Sequence, residues 1–129
     1  IIVSDEYKEP SKPLFAYDGS LTASSAMHSV AEFVKTLKLP LTVLAVSRDG
    51  KGEALLEEAK EYFKPYNIQP KFISVKGDAP QEIVKYYKEN NHDILFMGAT
   101  SHSRIVEMVI GSTTEHMMRS VKGPVFLER

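Results

Sequence analysis

Cysteine is absent from the 129 residues of the chain. Its absence excludes disulfides, thiolate nucleophiles and cysteine-bound metals, and it is compatible with a reducing compartment. No apolar run approaches the ~18 residues of a membrane span, and the N-terminus lacks the basic-then-apolar order of a signal peptide, so a cytoplasmic protein is expected. An excess of one charge is missing too. Sixteen basic residues face seventeen acidic ones, a net charge of -1, which leaves no global electrostatic footprint for nucleic acid or an anionic membrane. Several chemical signatures are also lacking. Neither G-x-G-x-x-G nor G-x-x-x-x-G-K-[ST] occurs, which argues against an ordinary dinucleotide enzyme and a P-loop motor, and without G-x-S-x-G there is no nucleophile elbow of a hydrolase. His28, His92, His102 and His116 form no pair at metal-ligand spacing, so each reads as a surface histidine and no metal is predicted. Tyr62, Tyr66, Tyr86 and Tyr87 have the spacing of half-buried helix faces rather than of a base-stacking platform.

What is present is the composition of one globular domain, with 43% hydrophobic and 26% charged residues, on a chain long enough to bury its own core without a staple. The polar, proline-bearing stretch Ser4 to Pro13 reads as a linker, so residues 1–13 form an extension and residues 14–129 the domain. "LFAY" (Leu14 to Tyr17) is a short apolar run stopped by "DGS" and suits a strand buried on both faces. Ala23, Ala26, Met27, Val30, Phe33, Val34 and Leu37 then recur at helical spacing, with Pro40 ending the pattern. A second strand, Leu41 to Val46, leads into a helix with the stripe Leu55, Leu56, Ala59, Tyr62 and Phe63, closed by Pro65. A third strand lies within Ile68 to Gly77, at or near an edge because Pro70 cannot donate to a ladder. "DAPQ" places a capping residue at Asp78 and a proline in the first turn of a helix over Ala79 to Asn90. Asp93 to Gly98 is a fourth strand, Ser112 to Val121 a fourth helix and Pro124 to Glu128 a fifth strand. Strand and helix alternating without a hairpin signal predict an α/β fold, a doubly wound parallel sheet with helices on both faces. Ligands of such sheets sit beyond the carboxyl ends of the strands, where the strand order reverses. That rule selects the loops "YDGS", "SRDG" and "GATS".

The last of these opens "MGATSHSRIVEMVIGSTTE" (Met97 to Glu115), in which two glycines stand among hydroxyls. Gly98 at a strand end and Gly111 at a helix start would let the backbone approach a phosphate and adopt positive φ. Ser112 and Thr113 would present hydroxyls and free N–H groups at a helix N-terminus, which attracts an anion. The same "STTE" is also a capping box, worth about 1 kcal/mol with no ligand involved.

The spacing Gly98, two residues, Ser101, nine residues, Gly111-Ser112 resembles the nucleotide-binding signature of the universal stress protein family, G-x2-G-x9-G-[ST], with Ser101 at the middle glycine. The strand ending in "DGS" (Asp18 to Ser20), "GDAPQEIVKYYKENNHDILFMG" before the signature and "VKGPVFLE" after it extend the likeness over residues 14–129. The resemblance implies a five-stranded parallel sheet in the order 3-2-1-4-5 with two helices on each face. It also implies a site for ATP, alone or with Mg2+. Asp18 would meet the ribose region, although an Asx turn or helix cap in "DGS" accounts for it equally. Ala16 and Tyr17 lie beside it, and Val46 would line the adenine. Ser101, Ser103 and Arg104 belong to the phosphate side with Gly98, Gly111, Ser112 and Thr113. Two departures bear on that reading. A Cβ at Ser101 would strain a residue needing positive φ by about 1 kcal/mol or more, and Glu107 stands where the family favours a base.

The expected role is that of a sensor or regulator acting through ligand state and dimerisation, with at most slow ATP hydrolysis, since no catalytic base or arginine finger is placed by the sequence. The rival is a nucleotide-free dimeric scaffold of the same fold, favoured by Ser101. A nucleotide-dependent enzyme of the wider adenine-nucleotide α-hydrolase-like group is disfavoured by "YDGSLT" after the first strand. Family members commonly dimerise through the last strand, so Val125, Phe126 and Leu127 are the expected contact of a homodimer or tandem pseudo-dimer. The opening "IIVSDE" resembles the C-terminal "PVFLER", which suggests a tandem protein cut after its first copy. An ordinary N-terminal extension explains it as well.

Overall fold

A computed structural model describes residues 11–98 and 125–128. The elements are β1 (Pro13–Ala16), α1 (Leu21–Leu37), β2 (Thr42–Ser47), α2 (Gly52–Phe63) with a 3-10 turn at Lys64–Tyr66, β3 (Lys71–Lys76), α3 (Ala79–Glu89), β4 (Ile94–Gly98) and β5 (Val125–Glu128). The strands form one five-stranded sheet, in the order β3-β2-β1-β4-β5, and every neighbouring pair is parallel. This is the predicted order. β3, the strand next to Pro70, lies at an edge.

Alternation along each strand divides the core into two layers. Phe15, Tyr17, Val43, Ala45, Ile94 and Phe96 face α1 and α2, while Leu14, Ala16, Leu44, Leu95 and Met97 face α3. The central strands are buried on both faces because helices cover both, which is why they read as continuous apolar runs. The predicted fourth helix, Ser112 to Val121, lies outside the described residues.

The element ends follow local chemistry more closely than the sequence patterns did. α1 stops at Lys38, in the left-handed conformation at φ 56°, whose N–H donates to the Val34 carbonyl. Leu39 donates to the same carbonyl at 3.0 Å, so the helix is closed ahead of Pro40. Leu37, expected in the apolar stripe, is 43% exposed, and Ala31 is buried in its stead. Pro65 sits within the 3-10 turn and does not close α2 outright. Ser11 and Lys12, assigned to the linker, are fastened to the start of β4. The two carboxylate oxygens of Asp93 accept from the Ser11 amide at 2.7 Å, the Ser11 hydroxyl at 2.9 Å and the Lys12 amide at 2.8 Å. His92 is not a surface histidine. It is 7% exposed, stacked against Tyr86 with ring centroids 5.6 Å apart.

β5 also departs from expectation in how it uses its side chains. Val125 is 2% exposed, and the Phe126 ring packs on Phe96 at 5.3 Å between centroids. Val125 therefore belongs to the core of its own domain, and Phe126, half-buried, packs against that core. Leu127 pairs in register with Met97.

Candidate functional site

The strand order reverses at β1: the chain moves from β1 outward to β2 and β3, then crosses to β4 on the other side. The carboxyl ends of β1 and β4 therefore part at Ala16 and Gly98, just past the register pair Ala16 and Met97. Such a switch point is where an open α/β sheet leaves a crevice.

At the end of β1, Asp18 Oδ1 accepts from the Ser20 amide at 2.9 Å. This is an Asx turn, and Gly19 completes it at φ 80°. Ser20 is then free to cap α1, its hydroxyl accepting from the Ala23 amide at 3.1 Å. The Ser20 hydroxyl also lies 3.2 Å from Thr22 Oγ1. The turn uses one oxygen of an exposed carboxylate; the other has no hydrogen-bond partner among the described residues. The turn expected of "DGS" is thus present, and it leaves Asp18 half its acceptor capacity.

Gly98 has a different reason for being glycine than positive φ, which it does not adopt. A Cβ there would stand 2.5 Å from Thr22 Oγ1 and 2.7 Å from the Ala23 nitrogen. The end of β4 is therefore pressed against the first turn of α1, and only a residue without a side chain permits that approach. Asp18, Ser20, Thr22 and Gly98 form one connected wall.

The remaining predicted residues divide by face. Ala16 and Val46 both belong to the α3 side of the sheet, Ala16 nearly buried and Val46 half-buried. Tyr17 points the other way. Its ring is 2% exposed and its hydroxyl donates to Glu58 Oε1 at 2.8 Å, with burial, and the Glu58 carboxylate besides, holding the phenol above its usual range despite an opposing contact from Ser24. The Tyr17 amide donates to the Leu44 carbonyl and its side chain is committed to α2, so neither is left for a ligand at the strand end. The structure thus brings Ala16, Asp18, Val46 and Gly98 to one end of the sheet and turns the Tyr17 side chain away. Ser101, Ser103, Arg104, Gly111, Ser112 and Thr113 lie outside the described residues.

Two features at this end were not foreseen. Ser47, the last residue of β2, buries its hydroxyl oxygen with no hydrogen-bond partner among the described residues. Arg48, next in the chain, donates to Asp78 Oδ1 at 2.8 Å, joining the loop after β2 to the loop after β3. This pair explains why Asp78, the residue before α3 at extended φ and ψ, makes no side-chain cap. The sequence signal for the pair, an arginine one residue beyond β2 and an aspartate two residues beyond β3, becomes visible only once the two strands are known to be neighbours.

The sequence profile of the universal stress protein family matches residues 47–129. Universal stress protein Slr1230 of Synechocystis is 32% identical over an alignment covering the whole of this chain and 46% of that protein. The chain spans about half the length of the first curated relatives it matches, 46% and 57%. Among solved structures, that of MJ0577, a universal stress protein of Methanocaldococcus jannaschii, superposes with a TM-score of 0.81 at 26% identity, covering 94% of this chain and 96% of that one. A universal stress protein solved in complex with cAMP superposes at 0.80 and 20% identity, with 95% and 98% covered. The switch-point geometry, the signature spacing and these likenesses agree, and the chain belongs to the universal stress protein family.

Proposed function

We propose that this domain binds ATP at the carboxyl end of its sheet and acts as a stress-response regulator through its ligand state and through dimerisation. The observation that carries the reading is Asp18. Its turn is satisfied by one carboxylate oxygen, so the other is available at the switch point to accept from ribose hydroxyls. Ala16 and Val46 offer an apolar surface on the α3 side for the base. Gly98 is pressed against the first turn of α1, and Ser101, Ser103 and Arg104, which follow it in the sequence, would serve the phosphate side. Gly111, Ser112 and Thr113 would supply the helix N-terminus for the phosphates. A family relative of the same fold solved with cAMP supports an adenine nucleotide as the ligand class. No general base stands at Asp18, whose role is to hold a hydroxyl, so hydrolysis is expected to be slow.

The test is to release and chromatograph nucleotide from the purified protein, then titrate ATP by calorimetry into the wild type, Gly111→Asp and Asp18→Asn. Asparagine keeps the acceptor that the turn needs and removes the charge. Asp18→Asn is therefore expected to leave the melting temperature unchanged and to weaken ATP about tenfold, the loss of one hydrogen bond to a charged group. Gly111→Asp should abolish the heat of binding. One observation favours a second reading, a nucleotide-free scaffold: Ser101 in place of the family glycine. Absence of bound nucleotide together with no heat at millimolar ATP would establish it.

A further inference from the structure

The opposite end of the sheet holds a cavity of about 270 Å³, lined by Lys12, Thr42, Lys71, Tyr86, Asn90 and His92 among others. Tyrosines aside, the polar side chains buried among the described residues are Thr42 at 9% exposure and His92 at 7%, and both line this one cavity. Burying a polar group costs free energy unless a partner is supplied, so their meeting in a single floor calls for an explanation. Ring packing on Tyr86 and Tyr87 accounts for the burial of the imidazole, but not for its Nε2.

His92 Nδ1 lies 3.1 Å from the Lys12 carbonyl oxygen. A carbonyl only accepts, so Nδ1 carries the proton and Nε2 is left as an acceptor. That nitrogen is buried and has no partner among the described residues. Tyr86 stacks on the ring with 23° between planes, which opposes turning it to seek another partner. Burial, with the charges of Lys12 and Lys71 adding to it, lowers the imidazole pKa against the Lys12 carbonyl contact and the Asp93 charge, so the acceptor lone pair is retained near neutral pH. Above the floor the rim is basic. Lys12 donates one N–H to the Asn90 carbonyl, and the exposed Lys71 makes no side-chain ion pair among the described residues.

We propose that this cavity is a second binding site, independent of the nucleotide site, for a small organic anion carrying a hydroxyl: the hydroxyl donates to the floor at His92 Nε2, and the carboxylate or phosphate lies between Lys12 and Lys71. At about 270 Å³ the cavity lies just below the range of drug-sized pockets, which suits a small organic acid. Because Nε2 is shut off from solvent, the floor must shift slightly as the ligand enters. The hydrogen bond gained by an otherwise unpaired nitrogen favours that shift.

The test uses the full chain with ¹⁵N-labelled histidine, titrated with malate and with succinate, which differ by the hydroxyl alone. Malate is expected to move the His92 Nε2 resonance saturably, and succinate to bind at least about tenfold more weakly, the weight of one hydrogen bond in a site built for it. Lys71→Gln, an exposed change that leaves the fold intact, should weaken malate about tenfold through loss of a charged contact. ATP should leave the malate response unchanged, because the two sites occupy opposite ends of the sheet. The proposal is overturned by no saturable shift at tens of millimolar malate, by equal responses to the two acids, or by an unaltered response in Lys71→Gln.

Discussion

The turns that follow β1 and β2 are built from the same dipeptide and differ in what surrounds them. In the first, Asp18 Oδ1 accepts from the Ser20 amide at 2.9 Å and Gly19 lies at φ 80°. In the second, Asp49 Oδ1 accepts from the Lys51 amide at 3.0 Å and Gly50 lies at φ 74°. The Asp-Gly pair alone therefore sets the path of the chain, because aspartate closes the Asx turn and glycine takes the left-handed position. The surroundings separate them. A Cβ on Gly19 would come within 2.8 Å of Leu55, whereas one on Gly50 would meet nothing nearer than 3.7 Å. The first turn is walled by α2 and adjoins the contact of Gly98 with α1; the second stands open beside the edge strand. A turn between fixed walls can hold a carboxylate in place for a ligand, and that distinguishes Asp18 from Asp49.

The wall can be removed most directly at Gly98. Gly98→Ala places a Cβ against both a hydroxyl and a backbone nitrogen of α1, so either β4 or the start of α1 must move. A loss of about 3 kcal/mol is expected, at the upper end of ordinary overpacking, and urea denaturation would measure it. A loss below about 1 kcal/mol, the level of a substitution without a clash, would show that the contact yields and that the wall is soft. The paired substitution in the turns comes next. Gly50→Ala should cost about 1 kcal/mol, from the left-handed conformation alone. Gly19→Ala should cost about 2 kcal/mol, because the Leu55 contact adds to the same strain. Equal costs would erase the distinction drawn between the two turns.

Much of this architecture was legible because the signals were local or periodic. The strands of the centre, buried on both faces, announce themselves as uninterrupted apolar runs, and Pro70 correctly placed β3 at an edge. The Asp-Gly turns could be read as turns. What remained hidden needed a third dimension. Gly98 does not take the positive φ that its sequence context allows, and its need for glycine arises from the first turn of α1, more than seventy residues away in sequence. Tyr17 seemed to belong beside Asp18, yet one step along a strand reverses the face, and its hydroxyl meets Glu58 on α2. His92 looked like an ordinary surface histidine, since nothing in "ENNHDIL" shows that Tyr86 will cover it. Asp78 is the plainest case of competition: the local pattern made it a cap, and an arginine from a neighbouring loop took its carboxylate.

The two turns differ again in their third residue, and this supplies a smaller effect. Ser20 has the extended backbone of a helix cap, φ -71° and ψ 164°, and its side chain accepts from the Ala23 amide. Ser20→Ala should cost about 1 kcal/mol, read as a fall in the denaturation midpoint with the slope unchanged. A null result would mean that water or Asp18 replaces the cap, in which case the turn would also be looser around the proposed ribose contact than the hydrogen bonds indicate.

The smallest effect is expected at the matching position, and its sign is opposite. Lys51 precedes α2 with φ -95° and ψ 24° and makes no side-chain cap. Its positive charge also lies at the positive end of the helix dipole, where a cation is unfavourable. Replacing it should therefore stabilise the protein, by about 0.3–0.5 kcal/mol for an exposed site at low salt. The gain should be the same for Lys51→Ala and Lys51→Ser. Serine can cap only from an extended backbone, and ψ 24° does not aim its hydroxyl at the free amides of the first turn. Both gains should shrink as salt is added, since they arise from charge. If Lys51→Ser exceeds Lys51→Ala by about 1 kcal/mol, the worth of a formed cap, then the second turn has relaxed to the geometry of the first. The difference between them would then come from the side chain at position 51 and not from the walls.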